Sequence, residues 1–184
     1  ESDSGIAEKI ARESGLGAHA EPTNGPPYQH IIQRNKTDWE FLWERARRIG
    51  YRVYVEEKTL HFVRAPNVTA IPSLEWGVDL LDFRASLSTA EQVEEVSVRS
   101  WDTIKKQAII GRATRPQIDV AIGERQTGGQ AAKKAFRQQP KLVVVDQPVN
   151  SQAEADALAQ GILDDVGNAF VQAEGVCSGN PAVT

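Results

Sequence analysis

The side chains best suited to metal, nucleophilic or acid–base chemistry are His19, His30 and His61, the single Cys177, and the carboxylate pairs Glu94-Glu95 and Asp164-Asp165. No two histidines stand four residues apart, and neither His-Glu-x-x-His nor Cys-x-x-Cys occurs, so no local metal-ligand set is present. His61 falls between Leu60 and Phe62 in an alternating stretch, which turns it to the solvent face of a strand. Cys177 would need a base held beside it to act as a nucleophile. Its surroundings, Gly175-Val176-Cys177-Ser178-Gly179, match no protease signature, and it reads as a half-buried small apolar residue. Adjacent carboxylates diverge, to opposite faces of a strand or by about 100° around a helix. Neither pair therefore converges on one substrate as glycoside hydrolysis requires.

Two further constellations invite chemistry. Gly123-Glu124-Arg125-Gln126-Thr127-Gly128-Gly129-Gln130 has the outline of a phosphate loop, but Gly129-Gln130 stand where Lys and Ser/Thr would be needed. It reads as a flexible loop. Arg34, Lys36, Arg45, Arg47, Arg48 and Arg52 form a basic cluster with Trp39 and Trp43 interleaved, a composition that can stack and track a single-stranded nucleic acid. Against this, both tryptophans fall on the apolar face of a helix, where burial is expected. Glu40, Glu44, Glu56 and Glu57 also offset the charge. A salt-bridged, solvated face is the expectation, with Arg45, Arg48 and Arg52 as candidates for a protein–protein contact. No catalytic residue, cofactor site or metal site is expected.

The elements that would carry these residues are legible in part. Ser2 or Ser4 caps a first helix with Ile6, Ala7, Ile10 and Ala11 on one face, ended by Gly15 or Gly17. A loop follows through Glu21-Pro22-Thr23-Asn24-Gly25-Pro26-Pro27. Thr37-Asp38-Trp39-Glu40 is a capping box, after which Trp39, Leu42, Trp43, Ala46 and Ile49 recur at helical spacing up to Gly50. Tyr51, Val53 and Val55, a Glu56-Glu57-Lys58 turn, then Leu60 and Phe62 predict a β-hairpin.

Beyond a connector bracketed by Pro66 and Pro72 the period becomes two. Leu81, Phe83, Ala85 and Leu87 predict a strand with one buried face. Val96 and Val98, then the stretch through Ile104, Ala108, Ile109 and Ile110, complete an expected antiparallel meander. Residues 111–140 predict a mobile excursion with a short helix from Gln130 to Gln138. Leu142–Val145 is a strand closed by Pro148. A capping box at Ser151-Gln152-Ala153-Glu154 opens a helix over 151–166 with Ala155, Leu158, Ala159, Ile162, Leu163 and Val166 on its apolar face. Phe170–Glu174 predicts a last strand.

Composition narrows the class. An apolar share of 40% with 25% charged residues suits a globular domain with a core, and a net charge of −4 provides no global attraction to nucleic acid or anionic membrane. No apolar run approaches the roughly 20 residues that span a bilayer. One cysteine requires no oxidising compartment. The chain opens on Glu1, carries no methionine, and stops just after a turn signal, so a part of a longer protein is expected.

Gln33, Thr37, Asp38, Phe41, Leu42, Ala46 and Gly50, followed by a hairpin ending in Leu60-His61-Phe62, resemble the recurring pattern of phage late-control-D proteins. Val98-Arg99-Ser100-Trp101-Asp102 with Lys105 or Lys106 is similar to that family's strand-Trp-Asp-turn, and Ser151 to Pro181 to its late helix and strand. Secretion spikes of the VgrG type carry a similar unit. The resemblance implies an α+β fold, with a small α/β unit over residues 1–66 and a partial, mostly antiparallel, barrel-like tail-hub domain over residues 67–184. The flexible insertion at 111–140 and the helix at 151–166 would belong to the latter. It further implies a non-enzymatic baseplate hub component of a phage, prophage or other contractile injection system, located in the virion tail. Such a component is expected as a homotrimer forming a ring between tail tube and spike proteins, with no membrane or nucleic-acid partner. Strands outside this chain would complete the barrel, so exposed sheet edges are expected here. The alternatives are a VgrG-like spike component, or a nucleic-acid-binding module using the Trp39/Trp43–Arg face.

Overall fold

The structure, a computed structural model, describes residues 1–23, 27, 28, 30–64, 73–117 and 126–179. The Pro66–Pro72 connector, part of the proline-rich loop, Gly123–Arg125 and the terminal Asn180-Pro181 lie outside the described residues.

Ser2 caps α1 (Asp3–Glu13), its hydroxyl accepting from the Gly5 amide at 3.2 Å. Ile6, Ala7, Ile10 and Ala11 form its buried stripe, as their spacing requires. At the far end Gly15 takes φ +70°. There the amides of Gly15 and Leu16 donate back to Arg12 and Ala11 at 3.1 and 2.8 Å, the pairing of a Schellman turn. The turn releases the chain as β1 (Gly17–Ala20), a strand too short to show a period in the sequence.

The Thr37 capping box forms as expected. Its hydroxyl accepts from the Glu40 amide at 3.2 Å, and the Glu40 carboxylate accepts from the Thr37 amide at 2.8 Å. The helix it opens, α2 (Asp38–Arg48), buries Phe41, Leu42 and Ala46. Trp39 and Trp43 depart from expectation: they are 47% and 48% exposed. To the core shared with α1 and the sheet, α2 contributes Phe41, Leu42 and Ala46, and the two tryptophans stay outside it.

Gly50, at φ +70°, turns the chain into β2 (Tyr51–Glu56). Glu57 and Lys58, both at positive φ (45° and 65°), make the type I′ turn into β3 (Thr59–Arg64). Here β3 is central, antiparallel to β2 and parallel to β1. One core packs α1 and α2 on this sheet around Leu42 and Phe62, with Tyr51, Val53 and Leu60.

In the second half β4 (Leu80–Leu87) and β5 (Glu95–Asp102) are followed by β6 (Gln107–Ala113). The β5–β6 hairpin turns on Asp102, whose carboxylate accepts from the Ile104 and Lys105 amides, each at 2.9 Å. Within residues 111–140, β6 runs on to Ala113 and α3 (Gly128–Phe136) starts on a Thr127–Gln130 capping box, earlier than the sequence predicts. Next, β7 (Lys141–Val144) lies parallel to β5. Then α4 (Gln152–Asn168) precedes β8 (Val171–Cys177). Ser151 caps α4 by accepting from the Glu154 amide at 3.1 Å, whereas the Glu154 carboxylate accepts from Asn150 rather than from the cap residue.

The meander is only half realised. Strands β5 and β6 pair as neighbours, but β4 pairs with β8 from the far end of the chain. The reason is α4. It lies across β5 and β6, burying Ala155, Leu158, Ala159 and Leu163 against Val96, Val98, Ile109 and Ala113, and returns the chain beside β4. The class is α+β, and among the described residues the sheets do not close into a barrel.

Two glycines allow α4 its position. A Cβ at Gly111 of β6 would stand 2.2 Å from the Ala155 backbone, and one at Gly161 of α4 would stand 2.9 Å from the Arg47 carbonyl oxygen of α2. Gly167, also on α4, has only ordinary contacts at 3.6 Å. Gly111→Ala is therefore expected to lose about 1–3 kcal/mol or more by overpacking. Gly167→Ala should be neutral or gain up to about 1 kcal/mol from helix propensity. Urea unfolding of both variants checks this, and equal stabilities would contradict the packing.

Candidate interaction surface

The cations of α2 are placed by its last turn, where positive charge suits the helix C-terminus. Most of them are already engaged within the chain. Arg45 Nε donates to Asp3 Oδ1 at 2.6 Å, and the Tyr28 hydroxyl donates to Asp3 Oδ2 at 3.1 Å. The Arg45 guanidinium also lies 4.6 Å from the Tyr28 ring centroid. Asp3 is buried, so this is a desolvated pair rather than a surface one. Burial pushes the Tyr28 hydroxyl up to about 12, with the Asp3 charge adding to it. Burial pulls the Arg45 guanidinium down, but the hydrogen bond and charge of Asp3 outweigh it and leave it above its ordinary value.

Arg48 Nη2 donates to the Pro148 carbonyl at 2.8 Å and to Glu154 Oε1 at 3.2 Å, tying α2 to the cap of α4. Arg47 pairs with Asp165 of α4 and lies 4.6 Å from the Trp43 ring centroid. Lys36 pairs with Glu44. Of the three residues predicted as a protein contact, Arg45 and Arg48 thus have partners inside the chain, and Arg52 is exposed on β2. A phosphate backbone approaching this face would have to displace carboxylates from Lys36, Arg45, Arg47 and Arg48, four of the six cations. The salt-bridged reading of the cluster describes it better than a nucleic-acid groove.

The largest departure from the sequence lies on β4. Phe83, Ala85 and Leu87 face Gly175, Ala173 and Val171 of β8, so one side of this two-stranded ladder is apolar while Asp82, Arg84 and Ser86 occupy the other. The predicted apolar face exists, but nothing in the described chain covers it: Leu81, Phe83 and Leu87 are 60%, 49% and 60% exposed. Trp76, Val78 and Val176 are exposed on the same two-stranded ladder or just before it. The alternation of the sequence marks an inward face without saying which molecule lies inside.

His61 does face outward, as alternation requires, but it is not alone. Parallel pairing of β1 with β3 sets His19 opposite it, a juxtaposition with no local sequence signal. Cys177 is partly buried at the end of β8. Among the described residues no group of three or more potential metal ligands gathers, and no helix is long and apolar enough to cross a membrane.

This arrangement of helices and sheets resembles, in fold, part of two solved tail proteins. It is similar to the 43 kDa tail protein of prophage MuSo2 from Shewanella oneidensis, with a TM-score of 0.60 at 18% identity over 99% of this chain. It is also similar to the tail protein from Neisseria meningitidis MC58, with a TM-score of 0.58 at 16% identity over 96% of this chain. The chain spans about half the length of each, 50% in both cases. Residues 1–182 match the Alg8 N-terminal domain, and the chain belongs to that family. No curated protein matches the sequence.

Tyr28 provides a test of the buried cluster. Its folded-state pKa, raised from 10.0 to about 12, means that its contribution to stability is complete below pH 10 and lost as the pH rises towards 12. Urea unfolding carried into this alkaline range is expected to show a decline that Tyr28→Phe removes in part.

Proposed function

We propose that this chain is a non-enzymatic part of a contractile-tail baseplate hub of the late-control-D kind, working in a homotrimeric ring between tail tube and spike. The observation that carries the reading is the uncovered apolar face of β4 and β8, on a chain with a tail-protein fold. Two strands bearing Phe83 and Leu87 in water are marginal by themselves, and become stable when a neighbouring surface covers that side. In this reading residues 1–66 are an α/β unit that braces the ring, and residues 67–184 contribute part of a barrel-like domain completed by other strands. Arg52, exposed on β2, is available for a contact between subunits. The assembly would reside in the virion tail, with tube and spike proteins as partners.

A VgrG-like secretion spike shares the resemblance and differs in its cargo, so a β-helical extension with an effector on the full-length protein would favour it.

In the full-length protein that carries this domain, light scattering is expected to report a trimer. Phe83→Asp combined with Leu87→Asp should weaken association at least about thirtyfold, the equivalent of one hot spot of about 2 kcal/mol, with both cores still folded by circular dichroism. A wild-type monomer, or cryo-electron microscopy of intact particles with no density for this chain at the tube–spike junction, would contradict the proposal.

A further inference from the structure

On the outward face of the first sheet, one row of side chains runs His19, His61, Tyr54 across β1, β3 and β2. The two histidines present the same ring nitrogen to each other, with Nδ1 to Nδ1 at 3.1 Å. Their rings meet edge to face, with centroids 5.2 Å apart and planes at 84°. His61 is held in place by stacking on Tyr54, with centroids 4.7 Å apart and planes within 2°. Two nitrogens bound to one tetrahedral ion at about 2.0–2.1 Å stand about 3.3 Å apart. The observed spacing lies close to that value, with both residues on paired strands rather than on a loop.

We infer that His19 and His61 form a two-imidazole site for a late first-row divalent ion such as Zn²⁺, Ni²⁺ or Cu²⁺, which imidazole ligands suit. Among the described residues no third His, Cys, Asp or Glu joins the pair, so water fills the remaining positions. Sequence reasoning misses the site because His19 and His61 are remote in sequence and meet only through a parallel strand pairing. The site is independent of the hub proposal, since both ligands and the stacking tyrosine belong to one sheet of one chain.

The test uses the 184-residue chain, free of any tag, stripped of metal and titrated with Ni²⁺ and with Zn²⁺ by calorimetry. One saturable site per chain is expected. His19→Gln and His61→Gln should each weaken it at least about tenfold, while His30→Gln, which removes the third histidine, should leave it unchanged. Nitrogen-15 spectra of the imidazoles provide a second readout, with the Nδ1 signals of His19 and His61 shifting together as Zn²⁺ is added. Thermal melts of the variants confirm that each is folded. Absence of saturable binding, or binding indifferent to both substitutions, would mean that the pair is only a hydrogen bond between two imidazoles and would overturn the inference.

Discussion

The close seating of α4 decides how the two cores of this protein meet. At Gly111 the helix backbone rests against β6 with no room for a methyl group, and at Gly161 the backbone of α2 rests against α4. Interhelical contacts of this kind need small residues because ordinary side chains hold helix axes about 8–10 Å apart. With both glycines in place, one helix buries its apolar stripe in the second core and keeps its other side against the first. It then delivers β8 to β4. The pairing of β4 with β8 and the exposed apolar ladder follow from where that helix lies.

Charge reinforces the same seam. Arg48 links α2 to the residues that cap α4, and Arg47 reaches Asp165 on the helix itself. The exposed Arg47 pair contributes little by itself. The buried Asp3–Arg45 pair differs, because either partner alone would be a desolvated charge without compensation. The polar groups that look available for binding in the sequence are thus largely consumed inside the molecule. Apolar residues predicted to be internal, on β4 above all, are the ones left at the surface.

Local chemistry explains what was legible. Capping boxes at Thr37 and glycine stops at Gly15 and Gly50 act within a few residues, so their signals survive without tertiary context. The β2–β3 hairpin is equally local. Where the reading departs, the deciding partner is distant. Trp39 and Trp43 share helical spacing with Leu42 and Ala46, yet the core takes only Phe41, Leu42 and Ala46 from α2 and leaves both tryptophans half exposed. β1 has four residues and a parallel partner beyond a helix, and the capping box of α3 lies in a glycine-rich stretch that resembles a loop.

The sequence by itself determined the capped helices and every strand but β1, their order, which face of each is apolar, and that no local catalytic or metal-binding motif is written in it. These depend on contacts a few residues apart, along a helix turn or a strand pleat. Tertiary structure alone decided which apolar faces find cover, which arginines are occupied, and that two separate histidines share a row. Those outcomes rest on pairings between residues dozens of positions apart. Side-chain periodicity says which way a residue points, and carries no information about what it will meet there.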